Sequence, residues 1–185
     1  ITAAISTIDS KKAISLALYI IGAAFAFKAL TTLEITSLWN DEISTVEKSF
    51  QNSLPYLFRY LGRDTHPPLY YIIVMAAGHA FGKTVLTLRG ISWLAYTAAC
   101  ITASSAVRST KIGEPFAALA FTLFASSPIA FRYSTEGKAY ALLTLAICLY
   151  LLFRAKINHN SSQFNSSLPG YIVSLSAASL LHFYG

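Results

Sequence analysis

Residues 68–81 read Pro-Leu-Tyr-Tyr-Ile-Ile-Val-Met-Ala-Ala-Gly-His-Ala-Phe, and whether this run crosses a membrane decides the fold. It is apolar almost throughout. A crossing helix needs about 20 such residues, and a run of about 14 is short of that. The surrounding chain leaves no doubt about the solvent. Its 185 residues are 55% hydrophobic and only 12% charged, where a soluble domain carries about a quarter charged residues. The aromatic content excludes disorder. Two cysteines without a Cys-x-x-Cys pair exclude a disulfide framework. The net charge of +6 is spread between apolar runs and is no nucleic-acid footprint.

Five other runs are long or continuous enough to span: 13–33, 85–107, 112–131, 137–153 and 168–184. Lys28, Arg89 and Glu114 sit near the ends of the first three, where Lys and Arg can snorkel to the headgroups. No signal-peptide cleavage pattern precedes the first run, which is therefore read as an anchor. No internal repeat is visible. Residues 161–167 form a polar Ser/Asn-rich linker, with sequons beside it at Asn160 and within it at Asn165. Cys100 and Cys148 fall inside spans as small packing residues. The chain opens at Ile1 and stops at Gly185 just after an apolar run, and is read as the N-terminal part of a longer protein.

If 68–81 lies in the interface, three basic pairs share one side: Lys11/Lys12, Arg108/Lys111 and Arg154/Lys156. The positive-inside rule makes that side cytoplasmic. The other side holds eight Lys and Arg against these six, but six acids accompany them: Glu34, Asp41, Glu42, Glu47, Asp64 and Glu136. The expected fold is an all-α, polytopic transmembrane helix bundle, with amphipathic interfacial helices in a first extracytoplasmic loop, 34–84. Within that loop Ser53-Leu54-Pro55 reads as an N-cap with proline in the first turn. Leu54, Leu57, Phe58 and Leu61 then recur at helical spacing, and Gly62 suits the C-cap. Such a helix can lie flat on a bilayer. Asn40 or Asp41 is expected to cap another helix through Lys48.

Three polar clusters fall on the extracytoplasmic side under this topology: Trp39-Asn40-Asp41-Glu42, then Asp64-Thr65-His66-Pro67-Pro68-Leu69-Tyr70-Tyr71, then Arg132-Tyr133-Ser134-Thr135-Glu136-Gly137-Lys138-Ala139-Tyr140. Residue type alone favours an N-cap for Asp41-Glu42 over a catalytic pair. Trp39, Tyr70 and Tyr71 read as interfacial aromatics, with the edge of a sugar or lipid site as the sharper alternative. His79, His159 and His182 have no motif company.

The order W-N-D-E, then D-x-H-P-P-L-Y-Y, then Y-S-T-E-G-K-A-Y-A-L-L resembles the GT-C membrane glycosyltransferases, in particular bacterial relatives of protein O-mannosyltransferases and aminoarabinose transferases. Residues 1–185 then correspond to the N-terminal part of the transmembrane domain. Many relatives carry Tyr-Ser-x-Glu-Ala-Arg at the third cluster; here Gly137 and Lys138 replace the Ala and Arg, keeping the charge but losing the planar fork. The resemblance implies transfer of a sugar from a polyprenyl-phosphate carrier to an acceptor hydroxyl, with inversion at the anomeric carbon. Asp41 matches the family's base, a role the chemistry requires because a hydroxyl is a poor nucleophile. Glu42 is expected to orient Asp41 or bind the acceptor. The lipid-phosphate leaving group needs cations, for which Arg89, Arg132 and Lys138 are the candidates; snorkelling to ordinary headgroups is their plainer role. Glu136 either pairs with Arg132 or holds these cations, and Tyr133 joins the substrate-binding set. Asp64 and His66 are candidates for the substrate site and for a divalent metal.

The implied partners are membrane lipid, the lipid-linked sugar, and a protein, lipid or glycan acceptor; the implied location is a bacterial or archaeal cell membrane, with the active site extracytoplasmic. Two other classes compete. A transporter or flippase predicts ionisable residues in mid-span and inverted repeats. A non-catalytic scaffold predicts that Asp41 is dispensable.

Overall fold

The computed structural model describes residues 2–51, 53–62, 66–159 and 164–182. Among them all regular structure is α-helical. The helices are α1 (Thr2–Thr31), α2 (Asn40–Ser49), α3 (Leu54–Leu61), α4 (Leu69–Phe81), α5 (Val85–Ser109), α6 (Glu114–Ser126), α7 (Pro128–Ser134), α8 (Tyr140–His159) and α9 (Phe164–Leu181). Three are long and apolar enough to cross a membrane: Asp9–Thr31 of α1, all of α5, and Tyr140–Asn158 of α8. A fourth crossing exists if α6 and α7 count as one span.

Two of the expected spans differ. Residues 112–131 are not one rod: α6 and α7 are bent by 63°. The cause is Ser127-Pro128. Ser127 is extended (ψ 123°) and its hydroxyl accepts from the Ala130 N–H to cap α7, while Pro128 opens that helix. Proline has no N–H to continue α6, and it disfavours helical geometry in the residue before it. The expected span 168–184 is helical from Phe164 to Leu181, and over these described residues α9 is less apolar by mean hydropathy than the three candidate crossings. Asn165 and five serines (Ser166, Ser167, Ser174, Ser176 and Ser179) dilute it.

α5 is the central post. α6 packs on one side of it and α8 on the other, with α1 beyond α6 and α9 beyond α8. The α1–α6 seam is close because Gly22 has no side chain; a Cβ there would lie 2.5 Å from the Phe121 ring. Buried Ala26, Ala29, Tyr96, Cys100 and Ala125 form the core on this side. Polar ties cross it: Trp93 Nε1–H donates to the Ala26 carbonyl at 2.8 Å, and Thr122 donates to the Leu18 carbonyl at 2.6 Å. Small residues and a few interhelical hydrogen bonds are what associate helices where lipid offers no hydrophobic contrast. A second core joins α3, α4, α5, α8 and α9 through Leu57, Tyr70, Val74, Leu88, Ala146 and Ala178. Tyr70 and Tyr71, expected at the interface, are buried in it.

The contacts sort the chain into two ends. Leu33 after α1, Arg89 in α5, and Gly137 before α8 meet at one end. Arg108 and Glu114 pair at the other, beside the groove that Lys11 and Lys12 line. α4 begins and finishes at the first end. His66 and Pro67, just before it, share a cavity with Lys138 and Tyr140, and Thr84, just after it, caps α5 by accepting the Thr87 N–H. Its 13 residues reach about 20 Å at 1.5 Å each, short of a hydrocarbon core of about 30 Å.

The loop helices form where expected, with two differences. α2 is capped by Trp39 rather than by Asn40 or Asp41, and the Trp39 N–H is taken by the Glu42 carboxylate at 3.4 Å. α3 starts after Ser53 and ends at Gly62, whose φ of −60° any residue adopts. Leu57 is its buried anchor, while Leu54 and Phe58 of the same face are exposed.

Candidate active site

Arg89 organises the first end of the bundle. It lies one turn into α5 and is 2% exposed. Its Nε–H donates to Glu42 Oε1 at 2.8 Å, and Nη2 donates to Glu42 Oε2 at 2.7 Å, the two-pronged match of guanidinium to carboxylate. Nη2 also donates to the Ser37 carbonyl at 3.1 Å. Nη1 donates to the carbonyls of Leu33 at 2.7 Å and Thr36 at 2.9 Å. These three carbonyls belong to the turn that follows α1, which has no helix partners for them. Every N–H of the guanidinium is thereby engaged. The expected contact of Arg89 with a lipid phosphate has no donor left to make it: the planar fork is spent inside the protein.

Glu42 is the other half. It is 0% exposed, sits in the first turn of α2, and accepts the Gly137 N–H at 2.7 Å on the oxygen that also meets Arg89 Nε. Burial pushes its carboxyl pKa up. The Arg89 hydrogen bond, the Gly137 N–H, the Arg89 charge and the Trp39 N–H together outweigh burial and hold it below the ordinary 4.5. An acceptor cannot reach a carboxylate so enclosed, so that expected role gives way to a positioning one. The flanking backbones are what Glu42 places. Asp41 precedes it in α2, and Lys138 follows the glycine it binds.

Gly137 fits this junction because a Cβ there would run into Leu88 Cγ.

Asp41 and Lys138 meet at the surface of this clamp. Asp41 is 57% exposed and one of its carboxylate oxygens lies 3.7 Å from Lys138 Nζ, whose side chain is 14% exposed. Thr45, buried one turn on, donates its hydroxyl to the Asp41 carbonyl at 2.9 Å and fixes the first turn of α2. Arg132 Nε pairs with Glu136 at 2.7 Å, leaving Arg132 68% exposed and Glu136 at 13%. Glu136 lies past the end of α7, so the pair closes over a turn rather than along a helix. Tyr133 stacks on Tyr140 with ring centroids 4.7 Å apart. His66 is exposed at the entrance to α4, and its ring meets that of His182, just beyond α9, edge-on at 6.3 Å. Asp64, its expected companion for substrate or metal, lies outside the described residues. Among the described residues no group of three His, Cys, Asp or Glu is placed to hold a metal ion.

The three sequence clusters thus converge, over separations of up to 95 residues. Sequence reasoning missed Thr45, Tyr140 and His182. Tyr140 sits within a quoted motif and carried no assigned role; His182 has no local signal at all. Comparison with known families, curated proteins and solved structures finds no match to this chain.

Proposed function

We propose that this chain carries the catalytic end of a multi-pass membrane glycosyltransferase, which moves a sugar from a polyprenyl-phosphate carrier to an acceptor hydroxyl with inversion. The observation that carries the reading is the division of labour between two adjacent acids. Glu42 is buried and committed to Arg89, while Asp41 is exposed 3.7 Å from a lysine. A general base must reach its proton, and a leaving phosphate needs a cation beside it.

In this reading the acceptor oxygen bonds to the anomeric carbon as the bond from that carbon to the phosphate oxygen breaks. The hydroxyl proton passes to Asp41 and the electron pair leaves on the phosphate. Lys138, with Arg132 at the rim, receives the phosphate; docking there draws the ammonium from Asp41 and frees the carboxylate for the proton. Glu136 holds Arg132 in place. The site faces away from the basic end formed by Lys11, Lys12, Arg108 and Lys111, which makes it extracytoplasmic by the positive-inside rule. The exposed Leu54 and Phe58 of α3 rest on the bilayer beside it. The acceptor is a protein, lipid or glycan hydroxyl in a bacterial or archaeal cell membrane.

Among the described residues, the break between α6 and α7 favours a transporter, since such folds use discontinuous helices. A transport pathway also places ionisable groups within the spans that line it. Here the break is lined in sequence by Phe124-Ala125-Ser126-Ser127-Pro128-Ile129, which carries none.

The test is Asp41→Asn, which keeps size and loses the base. Transfer should fall by about two to four orders of magnitude with donor affinity nearly unchanged. Transfer at the parental rate in this variant removes Asp41 from the mechanism and with it the proposal.

A further inference from the structure

Lys11, Lys12 and the start of α6 enclose a groove of about 340 Å³ at the end of the bundle away from Asp41, many times the roughly 30 Å³ share of one water. Both lysines stand in the first turn of the candidate span Asp9–Thr31, and Glu114 opens the α6–α7 pair. The groove therefore lies at the depth where hydrocarbon gives way to headgroups. Both lysines are exposed, and neither Asp9 of the same turn nor any other described carboxylate pairs with either. Ser15, buried one turn on, donates its hydroxyl to the Lys11 carbonyl at 2.9 Å and fixes the turn that carries them. Glu114 is the acid in the groove's wall, and its charge is already met. Arg108 Nε–H and Nη2–H donate to its two oxygens at 2.9 and 2.8 Å, and the Tyr19 hydroxyl donates to it at 2.9 Å while accepting from Arg108 at 2.7 Å. What the groove presents is two ammoniums beside apolar surface, since Ile112 and Phe116 of its wall are 61% and 55% exposed.

We propose that this groove is a binding site for an anionic phospholipid, with the headgroup phosphate between Lys11 and Lys12 and the first part of an acyl chain over Ile112 and Phe116. Basic pockets between membrane helices take acidic headgroups, and each Lys or Arg near an anionic surface adds to the attraction. Ammoniums suit this ligand as point charges that need no fixed geometry. The apolar half of the wall selects a lipid over a soluble phosphate, which leaves Ile112 and Phe116 uncovered. Such a lipid touches α1 and α6 together, so it joins the two helices that meet at Gly22 and Phe121. The site needs α1 and α5 to cross a membrane and nothing of the glycosyltransferase reading.

The experiment titrates phosphatidylglycerol and phosphatidylcholine of the same acyl chains into the purified protein in detergent, with native mass spectrometry counting bound lipids. The readout is the preference, the ratio of the two dissociation constants for the first lipid bound. The parent prefers phosphatidylglycerol. Lys11→Gln combined with Lys12→Gln should cut that preference by about tenfold, a loss that two ammoniums near an acidic headgroup can supply. Lys11→Arg combined with Lys12→Arg should keep it. Lys111→Gln removes a charge from the same end of the bundle but outside the groove's wall, and should leave the preference nearly intact. All the substituted side chains are exposed, so the variants fold, which equal thermal unfolding midpoints check. A parent without preference, or a double glutamine variant that retains it, overturns the site. A loss in Lys111→Gln as large as in the double variant also overturns it, because the attraction then belongs to the whole basic end. Displacement of phosphatidylglycerol by an equal concentration of glycerol phosphate makes the ligand a soluble phosphate and overturns the lipid assignment.

Discussion

Arg89 and Glu42 illustrate how a charged residue near the end of an apolar span is ambiguous in sequence and decided by burial. A buried ion pair is weak evidence of net stabilisation, but removing one partner strands the other. Glu42→Ala leaves the Arg89 guanidinium without its carboxylate, and should destabilise the protein by about 3–5 kcal/mol, read as a lowered thermal unfolding midpoint in detergent. Arg89→Lys should recover little of the loss in Arg89→Ala, because one ammonium cannot meet a carboxylate and three carbonyls at once. The pair also sets a pH dependence. The Glu42 pKa is depressed on folding below its ordinary 4.5. Its contribution is therefore present in full above about 4.5 and is lost as pH falls through the lower folded value. Midpoints measured across this acid range should fall more steeply for the parent than for Glu42→Gln. Equal slopes would mean that Glu42 is not held ionised by Arg89.

At the scale of elements, the junction between α5 and the turn before α8 is the tightest fit near the site. Gly137→Ala places a methyl against Leu88, which is fully buried. Overpacking of this kind costs roughly 1–3 kcal/mol. Shortening the obstacle should relieve it, so Gly137→Ala combined with Leu88→Val should be more stable than the sum of the two single changes. Additive single effects in that cycle would mean that the turn moves aside freely and that Gly137 does not set the position of Lys138. The same reasoning explains why α7 is separate from α6: a serine that caps and a proline that cannot donate break what hydropathy alone presents as one run.

Whole-molecule topology turns on α4. Its two ends lie at one end of the bundle, which gathers Asp41, His66, Glu136 and Lys138 together and sends the basic pairs of α1 and α5 to the other end. Single cysteines at Ser53, Thr84 and Thr135 should all react with a membrane-impermeant thiol reagent applied from outside intact cells. One at Thr110 should not. Opposite labelling of Ser53 and Thr135 would make α4 a crossing helix and take the candidate site apart.

Composition and hydropathy were enough, from sequence alone, to read the all-helical character of the described residues, the runs in α1, α5 and α8 that are long and apolar enough to cross a membrane, and the short α4. Helix formation and hydropathy depend on residues within a few turns of one another, so a linear reading captures them. The polar clusters around Asp41, His66 and Lys138 were also legible as a set, through motif order. Three things were not. The 63° bend between α6 and α7 divides what hydropathy presents as one run. The partners of Arg89 lie 47 to 56 residues away, and those of His182 are on α8 and before α4. Which N–H meets which carboxylate is set by the register of antiparallel helices and the turns between them. Only tertiary structure could separate Glu42, buried and already bound, from Asp41, exposed beside Lys138, because neighbours in sequence lie on different faces of a helix turn.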